Sequence, residues 1–167
     1  MVLKCNQFIQ PGMEMNSRTM KEAQPCPVAR SVDVVGDRWS LLIVRDAFDG
    51  VGRFSDFQRS LGVARNILSD RLRRLVDAGI LATRPASRGS AYQEYVLTEQ
   101  GKSLFPVVVA LRQWGERHLF ADGEYHSELV DKRTGKTLHA MVPLGADGHV
   151  VSPDDTEVKK RPSPGTH

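Results

Sequence analysis

The chain has 167 residues and a mass of 18.6 kDa, with 26% charged and 40% hydrophobic residues. That suffices for one domain of about 100–150 residues with tails, and it favours one core over two. The longest nearly apolar run, residues 104–111, contains Pro106, whereas a membrane span needs about 20 apolar residues. Residues 1–10 lack the apolar stretch and small-residue end of a secretory signal. The expectation is a soluble, cytoplasmic protein with no membrane partner.

Cys5 and Cys26 cannot form a disulfide framework, and no Cys-x-x-Cys or His-x-x-x-His pair offers a zinc site. The histidines at 118, 126, 139, 149 and 167 are scattered and read as surface residues. No Gly-rich phosphate loop, nucleophile elbow, carboxylate pair or metal set is present, so neither an enzyme nor a cofactor is expected. The net charge of +3 is unevenly spread. Between Arg53 and Arg88 eight arginines face three aspartates, a local net of +5, which leaves the rest of the chain at −2. An excess made wholly of Arg points to phosphate or base recognition, because the guanidinium fork fits both.

In chain order, residues 1–25 are polar and read as a flexible arm. Residues 27–35 suit a helix with Pro27 at its first position, where the missing N–H costs nothing. Gly36 ends it, and Asp37 can cap the next helix, 38–48. Apolar residues Trp39, Leu41, Leu42, Ile43 and Val44 nearly surround that helix, as in a buried one. After a turn at 49–52, residues 53–61 form a short helix with Phe54, Phe57 and Leu61 at helical spacing. Gly62 and Val63 make a tight turn. Residues 64–78 form a long helix whose Leu68, Leu72, Leu75 and Val76 share one stripe, with Gly79 at its end. Two strands, 80–84 and 93–97, flank a polar loop at 85–92. Thr98 can cap a last helix running to about Phe120 and kinked by Pro106. Residues 121–157 read as a small β-hairpin-like extension, and 158–167 as a disordered tail.

Read as a unit, residues 53–97 are helix, tight turn, helix, strand, basic loop, strand. The fold class is therefore mainly α with a small antiparallel β-wing: a winged helix-turn-helix followed by dimerisation helices. The second helix must bury its leucine stripe, which leaves the opposite face to enter a major groove. Arg65, Asn66 and Ser69 lie at its start, where base edges are reached first, with Arg73 further along. Arg can bond guanine and Asn adenine in a bidentate manner. Arg84 and Arg88, at and in the wing, are placed for the neighbouring minor groove or its phosphates, and Arg59 for the backbone. Asp70 is discordant on this face and is expected to pair with Arg73 or Arg74. Arg71 and Arg74 also read simply as salt-bridge partners on the surface.

The ordered set Cys26-Pro27-Val28, Val34-Val35-Gly36-Asp37-Arg38-Trp39-Ser40-Leu41-Leu42-Ile43 and Gly52-Arg53-Phe54-Ser55-Asp56-Phe57 resembles the HxlR-type winged-helix transcriptional regulators. The likeness continues through Leu61-Gly62-Val63-Ala64, Leu68-Ser69-Asp70-Arg71-Leu72, Gly79-Ile80-Leu81 and Tyr95-Val96-Leu97-Thr98-Glu99-Gln100-Gly101. It ends with Leu104-Phe105-Pro106-Val107 and Trp114-Gly115. Each piece is weak alone, but the ordered series from Cys26 to about Phe120 is specific. The resemblance implies a homodimeric DNA-binding regulator, usually a repressor, at home on the nucleoid. This wing departs from the family's frequent double proline, carrying Arg88-Gly89-Ser90-Ala91-Tyr92 instead.

Two further expectations follow. Leu104, Phe105, Val107, Val108, Val109, Leu111 and Trp114 put apolar groups nearly all round one helix, which a two-fold partner can cover. Leu104, Phe105, Val108, Leu111 and Trp114 are the candidate dimer contacts, and two recognition helices then meet an inverted repeat of double-stranded operator DNA. Cys26 sits beside a helix N-terminus, which favours thiolate, and its position is a redox or electrophile sensor in some members of the family that the chain resembles. A small oxidant or a small-molecule ligand at the dimer interface are the alternative effectors, and a packed, unreactive cysteine is the plain alternative. The extension faintly resembles a zinc-ribbon-like tail, but with Thr134, Leu144 and Asp147 where cysteines would stand, so no metal is expected.

Overall fold

The computed structural model describes residues 26–86 and 92–159, which fall into two compact units divided between Phe105 and Pro106. The expected arm, most of the wing loop and the end of the tail lie outside the described residues.

The first unit carries α1 (Pro27–Val35), α2 (Arg38–Phe48), α3 (Phe54–Leu61), α4 (Arg65–Asp77), β1 (Leu81–Pro85), β2 (Gln93–Leu97) and α5 (Glu99–Lys102). Its core gathers Val35, Ile43, Val44, Phe57, Val63, Leu68, Leu72, Leu75, Ile80 and Leu81. Helix α2 buries Ile43 and Val44 fully, yet Trp39, Leu41 and Leu42 are only half-buried, so it is not enclosed all round as its composition suggests.

The turn between α3 and α4 is closed by Gly62, whose φ of 59° lies in the left-handed region that a side chain disfavours. Val63 beside it is buried and anchors the turn. The strands pair antiparallel, Leu81 opposite Leu97 and Arg84 opposite Glu94. On the other edge of β2, the Tyr95 N–H donates to the Gly52 carbonyl at 2.8 Å, which ties the chain before α3 to the wing. The Tyr95 ring meets Phe57 edge-on, with centroids 6.4 Å apart.

Thr98 caps α5 by accepting from Gly101 N–H at 3.0 Å and donates its own hydroxyl proton to the Gly79 carbonyl at 2.6 Å. A Cβ at Gly101 would stand 2.1 Å from the Ile80 carbonyl oxygen, so the close packing of α5 against the chain just before β1 requires glycine there.

The long kinked helix expected after Thr98 is two helices. The first stops at Lys102, and α6 (Phe105–His118) starts anew. Pro106 is the second residue of α6, where its missing N–H needs no acceptor, so it starts a helix and kinks none. The second unit holds α6 from Pro106 onward together with the extension. Here two antiparallel bridges, Val130 with Thr137 and Leu144 with Val150, each close a turn. The Gln113 amide clasps this segment, donating to the His139 carbonyl at 2.9 Å and accepting from Met141 N–H at 2.8 Å. A 3₁₀ turn, Pro153–Asp155, follows.

Leu72 has no exposed surface in this core. Leu72→Ala is expected to lower unfolding free energy by about 2–5 kcal/mol, through lost burial plus a cavity, read from urea denaturation.

Candidate nucleic-acid interface

The orientation of α4 is set from both sides. Its Leu68, Leu72 and Leu75 are fully buried, which turns Arg65, Asn66, Ser69, Arg73 and Arg74 outward. A second tie is polar. Asp37 caps α2, its Oδ1 accepting from the N–H groups of Trp39 and Ser40 at 3.1 and 3.2 Å, while its Oδ2 accepts from the Ser40 hydroxyl. The same Oδ1 accepts from Arg71 Nε at 2.9 Å. One carboxylate thus joins the start of α2 to the middle of α4. Partial burial raises the Asp37 pKa, but the bonds from Ser40 and Arg71 outweigh it and hold the carboxyl below its ordinary 3.8.

The outward face of α4 is an ordered network of charges. Asp70 receives Arg71 at 2.5 Å, Arg73 at 2.8 Å and Arg74 at 2.9 Å. The bond from Arg73 chiefly holds its carboxyl below the ordinary range. Arg73 also reaches Asp77 at 3.4 Å. The pairing of Asp70 with Arg73 or Arg74 extends to both, and to Arg71 as well. Arg65, at the first position of α4, lies over the Phe54 ring at 5.5 Å, a contact that stiffens a side chain otherwise exposed. Asn66 and Ser69 are exposed beside it.

The other candidates are placed unevenly. Arg59, at the end of α3, is highly exposed and touches Asp56 at 3.1 Å. Arg84 on β1 is held by Glu94 of β2 at 2.7 Å. Arg88 lies outside the described residues. Cys26 is the N-cap residue of α1, half-buried, and its side chain makes no capping bond. Of the candidate dimer residues, Phe105, Leu111 and Trp114 are exposed, and Leu104 and Val108 half-buried. Sequence reasoning missed the double duty of Asp37 and the hold of Glu94 on Arg84. The strand register carries a signal for the second, since it sets opposite charges directly across the ladder.

A model of the HxlR-like helix-turn-helix family matches residues 34–122, more than half of the chain. The chain belongs to that family. It is 48% identical over 92 residues to the uncharacterized HTH-type transcriptional regulator Rv3095 of Mycobacterium tuberculosis, covering 55% of this chain and 58% of the relative. The chain thus spans little more than half the length of that mycobacterial protein. Among solved structures it is similar to PA1607, a candidate transcription factor, with a TM-score of 0.81 and 48% identity over 85% of this chain and 99% of that one. It is also similar to the redox regulator HypR in its reduced form, with a TM-score of 0.52 and 32% identity over 56% of this chain and 94% of HypR. The family and these relatives are described as transcriptional regulators or transcription factors. The likeness to PA1607 reaches past the residues of the family model into the extension. Among the described residues, no helix is long and apolar enough to cross a membrane.

Asp37→Asn keeps a capping oxygen and removes the charge that holds Arg71. Because the folded-state pKa of Asp37 is lowered, its contribution to stability is complete above the unfolded value near 3.8 and is lost as pH falls through the folded value. The stability gap between wild type and Asp37→Asn is expected to be widest near neutral pH and to close below pH 3.8. Urea melts across a pH series check it, and a gap that stays constant would assign the loss to something other than this charge.

Proposed function

We propose that the protein is a sequence-specific double-stranded DNA-binding regulator, a repressor acting as a homodimer on an inverted-repeat operator at the nucleoid. The observation that carries this reading is the exposed edge of α4. Burial of Leu68, Leu72 and Leu75 leaves Arg65, Asn66 and Ser69 exposed in its first two turns, together with apolar Ile67, and Arg73 beyond them. A major groove admits one helix, and these side chains carry donors and acceptors that match base edges there. Arg59, Arg84 and Arg88 are the phosphate or minor-groove contacts in this reading. Exposed Phe105, Leu111 and Trp114 on α6 supply the apolar surface that a second copy would bury.

Arg65→Ala is expected to weaken binding to the preferred duplex by about 10- to 100-fold and to relax its sequence preference, as loss of one bidentate base contact does. Fluorescence anisotropy on the preferred and on random duplexes checks it; equal loss on both would remove Arg65 from base readout.

Cys26 is the candidate sensor. It occupies the N-cap of α1, where backbone N–H groups favour thiolate, and the similar protein HypR is described as a redox regulator. Oxidation by a small oxidant is expected to change operator affinity. Diamide treatment of wild type and Cys26→Ser, followed by a gel shift, tests this: the wild type responds and the variant does not. An equal response in both would exclude Cys26. The alternative reading, a small-molecule effector at the dimer interface with no thiol switch, has as its one candidate feature an open groove of about 290 Å³ in the first unit, lined by Val34, Val35, Ile80 and Leu104 with polar Arg30 and Gln100.

A further inference from the structure

We infer that Asp70 is a specificity-determining residue: a built-in competitor for phosphate that suppresses binding to non-cognate DNA. The inference rests on the DNA-binding reading above and adds a residue whose sign is opposite to that of the surface it occupies. An aspartate in the middle of a helix meant for a polyanion raises local repulsion, yet here it is held in place. Arg71 bonds Asp70 with one guanidinium nitrogen and Asp37, at the start of α2, with another. Arg71 is itself half-buried, at 24% side-chain exposure, so this link is part of the packed unit. Asp70 therefore cannot swing away when a phosphate approaches.

Its remaining lone pairs hold Arg73 at 2.8 Å and Arg74 at 2.9 Å, both about two-thirds exposed. These are the exposed cations of the middle of α4. Each can contact a DNA phosphate only by leaving Asp70 or by sharing with it. On a random duplex nothing offsets that exchange, because phosphate contact is all such a complex offers. On a cognate duplex, base contacts from Arg65, Asn66 and Ser69 hold the helix in the groove while the exchange occurs. Asp70 thus lowers binding to random DNA more than binding to the preferred site. Arg73 has a second partner, Asp77, but that pair is longer at 3.4 Å, and Asp77 is 64% exposed with no tie to α2.

The test uses the full chain, a random pool of duplexes of about 30 base pairs, long enough for two half-sites one turn apart, and the duplex that wild type enriches from that pool. Anisotropy titrations over a salt series compare wild type, Asp70→Asn and Asp77→Asn. The latter two change net charge equally. Asp70→Asn is expected to bind the random pool about tenfold more tightly at low salt, with a log–log salt slope steeper by about one to two, as for one or two added phosphate contacts. Its affinity for the enriched duplex should change by less than threefold, so the specificity ratio falls. Asp77→Asn should leave that ratio near wild type. An equal rise for both variants would assign the effect to net charge and overturn the inference, as would an unchanged random-pool affinity for Asp70→Asn. Should the amide variant unfold in a thermal melt, Asp70→Ser carries the same comparison. If wild type binds neither duplex, the DNA-binding reading itself fails, and this inference falls with it.

Discussion

The Asp37 carboxylate is the point on which the rest of the surface depends. It closes the first turn of α2 and grips Arg71 of α4, so a helix cap and an interhelical tie are one group. Three leucines already choose which side of α4 faces inward. Apolar packing alone tolerates small rotations, because it has no preferred direction. A charge-assisted bond between a capped helix end and the middle of α4 has a direction, and it fixes the azimuth at which Arg65, Asn66 and Ser69 emerge. The wing is tied to the same frame by the Gly52–Tyr95 bond and by Thr98, which stitches the end of β2 to the carbonyl of Gly79.

Charge on this surface is organised more than it is accumulated. The local excess of arginine comes with carboxylates placed against it: Asp56 on Arg59, Asp70 on Arg71, Arg73 and Arg74, and Glu94 on Arg84. Exposed ion pairs contribute only about 0–1 kcal/mol each. Such pairs order long side chains without locking them, and a phosphate can replace the partner at small cost. The two pairs of Arg71, with Asp37 and with Asp70, have the least exposed guanidinium of these and serve to hold geometry. In the proposed reading, that ordering prepares the surface for an anionic partner.

Much of this was legible in the sequence, for reasons that differ by element. The α4 stripe of Leu68, Leu72 and Leu75, the capping Asp37 and Gly62 in the turn are local signals, and the structure places each as expected. The strand 93–97 was readable from its composition and its bounding loop. Where reading failed, the deciding contact was distant in sequence. The close approach of Gly101 to the Ile80 carbonyl, 21 positions away in sequence, is one such contact. The partial exposure of α2 is likewise a property of its neighbours and not of its own residues. The grip of Asp37 on Arg71 spans 34 positions and has no local signature.

In the proposed reading, α4 and the wing present a paired surface to duplex DNA, doubled by a two-fold partner. Hydroxyl-radical footprinting of the protein on the duplex it enriches from a random pool tests this most directly. The expected result is two protected patches related by inversion, their centres about one helical turn, or about 34 Å, apart. A single patch, or protection without inverted symmetry, would contradict the dimer, and no protection in low salt would contradict DNA recognition itself.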